Sequence, residues 1–300
     1  MRARRLRRLA RQLETTALWL ARQMRPLALF NLAVPRHTYQ RHADLPYGAL
    51  PRQRLDIYTP LNAEPEAPVV VFFYGGSWQS GRRQDYRFIG QALSAQGFVT
   101  VIPDYRLYPE VRFPAFLYDG AAACAWVKKH IGGFGGSPDR VFVMGHSAGA
   151  YIAAMLALDA RYLQQCHLSP QDLRGLIGLA GPYDFLPLKQ RELIEIFGGS
   201  EDIPETQPIN FVSPAAPPAL LLHGATDRIV WADNTRRLAA RWRQVGRPVQ
   251  EIIYPHYKHL TILLYLASFL QEGEPIIQDI CQFVKSQGSA ASSSPAARPR

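Results

Sequence analysis

The sequence predicts an α/β domain: a mostly parallel central sheet with helices on both faces. Three observations predict it. Short apolar runs at residues 69–73, 141–144 and 219–222 have the composition of strands buried on both sides. Longer segments with helical punctuation separate them, so strand and helix alternate along the chain. At 300 residues and 47% hydrophobic content, the chain suits one large core.

The elements follow in order. Residues 1–43 form an expected N-terminal extension, opening on a basic amphipathic helix. Leu6, Leu9, Leu13, Ala17, Leu20 and Met24 recur at helical spacing, with Arg4, Arg8, Arg11 and Arg22 between them. Three uses fit such a segment: packing on the domain or a partner chain, peripheral contact with a membrane surface through residues 1–25, or a mitochondrial-type presequence. Arg22, Arg25 and Pro26 interrupt the apolar stretch, so a spanning helix is not expected, nor is a secretory signal.

The folded domain is expected over residues 44–287. Residues 54–58 alternate like an early strand, and 60–68 are a turn rich in proline and acids. After the 69–73 strand come Tyr74-Gly75-Gly76-Ser77-Trp78 and then a helix over 82–96 that stops at Gly97. A strand at 98–102 runs into Pro103-Asp104-Tyr105-Arg106, and a helix over 114–131 opens on a proline. Strands at 176–180, 219–222 and 250–254 complete the sheet, with a helix over 233–245 before the last and a helix-like 260–270 after it. Residues 183–218 are irregular and proline-rich, and are read as a lid or cap. Residues 288–300, nearly all Ser, Ala, Pro and Arg, read as a disordered tail.

Charge and cysteine content narrow the function. The formal net charge is +10, but residues 1–25 hold eight Arg against Glu14, and 285–300 add Lys285, Arg298 and Arg300. The body between them is neutral, which excludes a nucleic-acid-binding domain. Cys124, Cys166 and Cys281 match no metal or redox spacing, so a reducing, cytoplasmic setting is expected, with a peripheral membrane position open through residues 1–25. No metal or cofactor is expected. The glycines at 132–136 lack the Gly-Lys-Ser/Thr of a phosphate loop and read as a plain turn.

The chemistry centres on Gly145-His146-Ser147-Ala148-Gly149, placed between a buried strand and a helical run from Tyr151. Gly-x-Ser-x-Gly in that context is a nucleophile elbow, whose strained turn requires small residues on either side. A serine hydroxyl needs a base in hydrogen-bond reach and a carboxylate to orient that base. Asp227 and His259 follow later strands in the expected chain order. His256 competes with His259 as the base, and Asp233 with Asp227 as the acid, although Asp233 also reads as a helix N-cap. His223 reads as a structural strand-end residue. Gly76, Ser77 and Ala148 are the candidate backbone donors for an oxyanion. Asp104, Arg106 and Asp119 read as structural ion pairing. Trp78, Tyr151, Tyr183 and Phe185 are candidate pocket residues.

These motifs resemble the α/β-hydrolase superfamily over residues 44–285. The closest likeness is to serine esterase branches similar to hormone-sensitive lipase and kynurenine formamidase (BD-FAE type). The likeness rests on Tyr74-Gly75-Gly76-Ser77-Trp78, Asp104-Tyr105-Arg106-Leu107-Tyr108-Pro109-Glu110, the elbow, and the Asp227/His259 pair. It implies a Ser147–Asp227–His259 triad, oxyanion donors at Gly76, Ser77 and Ala148, and an acyl-enzyme route to hydrolysis of small-molecule carboxylic esters. The alternatives are an arylformamidase and, from another class, a catalytically silent binding protein on the same scaffold. Tyr74 departs from the pattern, standing where these families have His.

Overall fold

The computed structural model describes residues 30–62 and 64–289. The helix expected over residues 1–25 lies outside the described residues, as does the tail from 290 onward. Eight strands form one sheet: β1 (Tyr39–Pro46), β2 (Arg54–Pro60), β3 (Ala67–Phe73), β4 (Val99–Pro103), β5 (Gly136–His146), β6 (Gly175–Leu179), β7 (Ala219–Gly224) and β8 (Val249–Tyr254). Their spatial order is β1-β2-β4-β3-β5-β6-β7-β8. β1–β2 and β2–β4 pair antiparallel, and every other pair is parallel.

The helices are α1 (Arg87–Ser94), entered through a 3-10 turn at Arg83–Tyr86, α2 (Ala115–His130), α3 (Ala148–Leu158), α4 (Ala160–Gln164), α5 (Arg191–Ile196), α6 (Asp233–Gln244), α7 (Thr261–Leu264) and α8 (Ile276–Ser289). Two neighbouring residues of β3 show that both faces of the sheet are covered, because side chains alternate along a strand. Phe72 meets Tyr86, just before α1, with ring centroids 5.8 Å apart. On that same face Phe142, paired with Val70, meets Phe283 of α8. Phe73 points the other way, toward Gly120 of α2 and Ile152 and Leu156 of α3. All eleven residues of α3 are buried, which is why its sequence is apolar all round.

The strand order places the site. β3 has β4 on one side and β5 on the other, so the connections diverge between β3 and β5. A crevice opens at such a switch point, beyond the carboxyl ends of the strands. Gly75–Trp78 leaves β3 there, and Ser147 leaves β5 beside it.

The structure differs from the sequence reading in three elements. The folded body starts before residue 44, because Tyr39–Pro46 is the edge strand β1. Its side chains do not alternate apolar and polar; Tyr39 is buried on Tyr58, and Arg41 pairs with Asp56 at 2.6 Å. The helix-like 260–270 is broken: α7 stops at Leu264, i→i+3 bonds carry the chain to Ala267, and a separate 3-10 turn spans Ser268–Leu270. Asp233 is the first residue of α6 and pairs with Arg236 at 2.8 Å, while the N-cap position is Ala232.

Candidate active site

The turn after β5 is dictated by crowding. Ser147 adopts φ 54°, ψ −123°, a strained conformation for a residue with a side chain. A Cβ on Gly145 would lie 2.2 Å from the Gly149 carbonyl oxygen, and one on Gly149 would lie 2.0 Å from the Phe73 carbonyl oxygen. Both positions therefore admit only glycine. The Ser147 N–H is tied to the Leu179 carbonyl of β6 at 2.9 Å.

Ser147, His259 and Asp227 come together in one line. His259 Nδ1 lies 2.7 Å from Asp227 Oδ2, and His259 Nε2 lies 2.9 Å from Ser147 Oγ. With Nδ1–H donating to the carboxylate, Nε2 is left to accept from the serine hydroxyl. His256 is exposed on the rim and makes no hydrogen bond to Ser147 among the described residues.

Asp227 is held from several sides. Its Oδ1 accepts from the N–H groups of Ile229 (2.8 Å) and Val230 (3.0 Å), and His223 Nε2 stands 3.3 Å from its Oδ2. Burial alone would raise this carboxyl, but the close approach of the His223 ring and the hydrogen bond from His259 outweigh burial and hold it well below the usual carboxylate range. His223 thus does more than end a strand. Its Nε2–H donates to the Val230 carbonyl and its Nδ1 accepts from Thr235 Oγ1, both at 2.8 Å, which locks the loop that carries the acid.

His146, inside the elbow, is a second histidine that sequence reasoning passed over. Its Nε2–H donates to the backbone carbonyl of His259 at 2.8 Å, binding the base loop directly to the elbow. Burial, and then the neighbouring His259, press its pKa down to about 3, so the ring is neutral. The signal in the sequence is only its place in Gly-His-Ser, because its partner is 113 residues away.

The Gly75–Trp78 loop, with the candidate oxyanion donors, is the other half of the site. Gly76, Ser77 and Trp78 take φ of 131°, 53° and 58°, and the N–H groups of Gly76 and Ser77 make no hydrogen bond among the described residues. Ala148 opens α3, so its N–H has no earlier helical turn to bond. Tyr74, the departure from the family pattern, is what holds this loop. Its ring is stacked between Tyr86 (5.1 Å) and Tyr105 (4.8 Å). Its hydroxyl donates to Asp104 Oδ1 at 2.7 Å and accepts from Arg52 at 2.9 Å. Tyr105 in turn donates to the Tyr74 carbonyl at 2.7 Å. Asp104 also accepts from the Arg83 backbone N–H and pairs with the buried Arg83 guanidinium, which reaches Asp56 and Asp44 as well. The ion pairing expected of Asp104 is therefore made with Arg83, while Arg106 pairs with Asp119 at 2.9 Å.

Two cavities meet at Ser147 and Ser77. One, of about 560 Å³, runs under residues 185–193 and is lined by Trp78, Ala148, Phe185, Leu193, Ile229 and Trp231. The other, of about 680 Å³, lies beyond Gly75 and Gly76 and is lined by Phe30, Leu107, His259, Leu260 and Leu263. Trp78 and Phe185 are thus wall residues. Tyr151 and Tyr183 are not: both are fully buried, Tyr151 donating to the Thr206 carbonyl at 2.7 Å and Tyr183 filling the space over Gly178 and Gly181. The cap-like segment 183–218 is tied down through α5, where Glu195 accepts from Tyr108 at 2.5 Å and the Ile196 carbonyl accepts from the Phe113 N–H at 2.8 Å. Among the described residues no cluster of His, Cys, Asp and Glu could hold a metal ion.

Comparison with known proteins agrees with this architecture. The BD-FAE family model matches residues 55–242. An isoprenylcysteine alpha-carbonyl methylesterase of Arabidopsis thaliana is 28% identical over 239 residues, covering 73% of this chain and 56% of that protein. Esterase LipC of Mycobacterium tuberculosis is 30% identical over 249 residues, covering 76% of this chain and 61% of that protein. The chain thus spans little more than half the length of these curated relatives. An inhibited esterase B from Lactobacillus rhamnosis superposes with a TM-score of 0.76 at 19% identity, over 94% of this chain and 97% of that one. An esterase of Pyrobaculum calidifontis gives 0.73 at 22% identity, over 90% and 92%. The fold is that of the α/β-hydrolases.

Proposed function

The chain belongs to the BD-FAE family, and on that premise we propose that it is a serine hydrolase that cleaves carboxylic esters through an acyl-enzyme. The observation that carries this reading is the unbroken line from Ser147 Oγ through His259 to Asp227, beside a loop whose Gly76 and Ser77 N–H groups are unbonded among the described residues. Names of relatives that are esterases and methylesterases support it.

In this reading Ser147 Oγ attacks the ester carbonyl as His259 Nε2 takes its proton. The carbonyl oxygen gains charge among the N–H groups of Gly76, Ser77 and Ala148, donors whose individual loss typically costs about 2.7–4 kcal/mol of barrier. His259 returns the proton to the departing alcohol, leaving Ser147 acylated. A water, activated by the same ring, then releases the acid. Asp227 keeps the imidazole in the required tautomer and stabilises the imidazolium that forms. Tyr74 and His146 are positioning residues, one behind the oxyanion loop and one beneath the base.

The two cavities supply room for the acyl and alcohol arms on either side of Ser147. Hydrolysis of p-nitrophenyl esters of increasing chain length, with N-formylkynurenine in the same assay, tests the reading. Esters should be cleaved, a fluorophosphonate should label the protein, and both signals should vanish in Ser147→Ala. An unlabelled wild type would leave the binding-protein alternative standing, and preferential cleavage of the formamide would favour the amidase.

A further inference from the structure

The entrance to the site is apolar where a soluble surface is ordinarily polar. Ile229 is 71% exposed, Trp231 69% and Leu260 51%. Single exposed apolar residues are common, but these three stand on the loops that carry Asp227 and His259 and line the cavities opening on Ser147. The bonds from the Ile229 and Val230 N–H groups to Asp227 pin that loop, so Ile229 stays presented. The patch continues through Phe30, whose ring lines the second cavity and lies 5.7 Å from that of Phe269, itself 44% exposed.

The charges around the entrance are cationic. Arg228, Lys258 and Lys189 are exposed, and their side chains make no ion pair or hydrogen bond among the described residues. Of the nearby acids, Asp233 pairs with Arg236 and Asp184 with Arg237, which leaves the exposed Glu192 against these three cations. Phe30, at the edge of this same entrance, is where the chain continues into residues 1–29, whose first 25 carry eight Arg against one acid with an apolar residue every three or four positions.

We propose that the rim around the site entrance is a docking surface for an anionic lipid bilayer. Exposed apolar side chains flanked by cations bind such a surface through buried apolar area and charge together. Residues 1–25, with eight Arg, would set like charges against Arg228, Lys258 and Lys189, whereas an anionic surface complements the rim. This rests on the proposed ester hydrolysis for its consequence: an ester dissolved in the bilayer reaches Ser147 from the lipid side.

The 300-residue Ser147→Ala chain, which binds without turning over, carries the test, so that a failure of hydrolysis leaves it untouched. It should sediment with phosphatidylcholine/phosphatidylserine vesicles, not with phosphatidylcholine alone, and salt should weaken the binding. At about 1 kcal/mol per cation near the surface, Arg228→Gln with Lys258→Gln should lower the affinity about thirtyfold. Trp231→Ser should lower it about tenfold, and quenching of fluorescence by brominated lipid should shrink in Trp231→Phe. The proposal is overturned if no vesicle binds. It is also overturned if changing Arg4, Arg5, Arg7 and Arg8 to Gln abolishes binding while the rim variants bind normally, or if Trp231 is shielded from acrylamide without any lipid, which would make residues 1–25 the occupant.

Discussion

Two buried carboxylates flank Ser147 from opposite ends of the site, and they differ in what they face. Asp104, behind the oxyanion loop, meets Arg83 and the phenol of Tyr74. Asp227, behind the base, meets His259 and His223. An arginine keeps its charge throughout, so Asp104 faces a fixed positive charge. A histidine ring can pass a proton on, so Asp227 faces groups able to take part in the proposed chemistry. The first arrangement fixes a backbone, and the second suits the proposed reaction.

Substitutions at the two ends should break that comparison apart. The largest effect is expected at the reacting end. Asp227→Asn keeps the shape but allows the wrong imidazole tautomer, and should lower kcat by about 10⁴-fold with the thermal midpoint little changed. A comparable loss of both would erase the distinction.

Next comes acid pH. The neutral His146 has its pKa pressed from the ordinary 6.5 to about 3. Below pH 6.5 the unfolded chain takes up the proton that the folded ring refuses. The stabilisation is therefore present above 6.5 and lost as pH falls toward 3, on the order of 4–5 kcal/mol in all. The lowered carboxyl of Asp227 adds to the loss in the acid range, because it too favours its unprotonated form in the fold. Unfolding followed across this range should show a shallower slope for His146→Gln than for wild type; parallel slopes would remove His146 from the account.

Asp104→Asn should show the opposite split from Asp227→Asn. Stripping one carboxylate from the buried Arg83 should cost about 3–5 kcal/mol in urea unfolding, while kcat of the folded protein changes far less. The smallest effect is expected for Tyr74→Phe. It keeps the stacked ring and removes one hydroxyl, leaving Arg52 and Asp104 each a partner short, at about 1–3 kcal/mol of stability.

Much of the fold was legible because buried parallel strands carry their own signature. Val69 to Phe73 and Ala219 to Leu222 have no exposed face to encode, so their composition alone marks them. β1 was illegible for the converse reason: an edge strand lying mostly in solvent shows no apolar alternation, and its pairing appears only against β2. The triad candidates were legible through chain order and strand ends. What supports them was not. Tyr74 depends on Arg52 and Asp104, 22 and 30 residues away, and His146 on a carbonyl 113 residues away. Tyr151 and Tyr183 misled because an aromatic beside a motif residue can equally be core, and only packing distinguishes the two uses.

Gly149 has a consequence beyond the turn it permits. Its backbone rests against the Phe73 carbonyl so closely that no side chain intervenes between the first turn of α3 and the end of β3. The height of Ser147 above the sheet is therefore set by main chain on main chain and not by the volume of any core residue. A lineage could exchange the apolar side chains around α3 over many generations, or an engineer could redraw them in one, and the nucleophile would keep its place. The same arrangement leaves no second-site route to rescue Gly149→Ala, since no neighbouring side chain can be trimmed to make room.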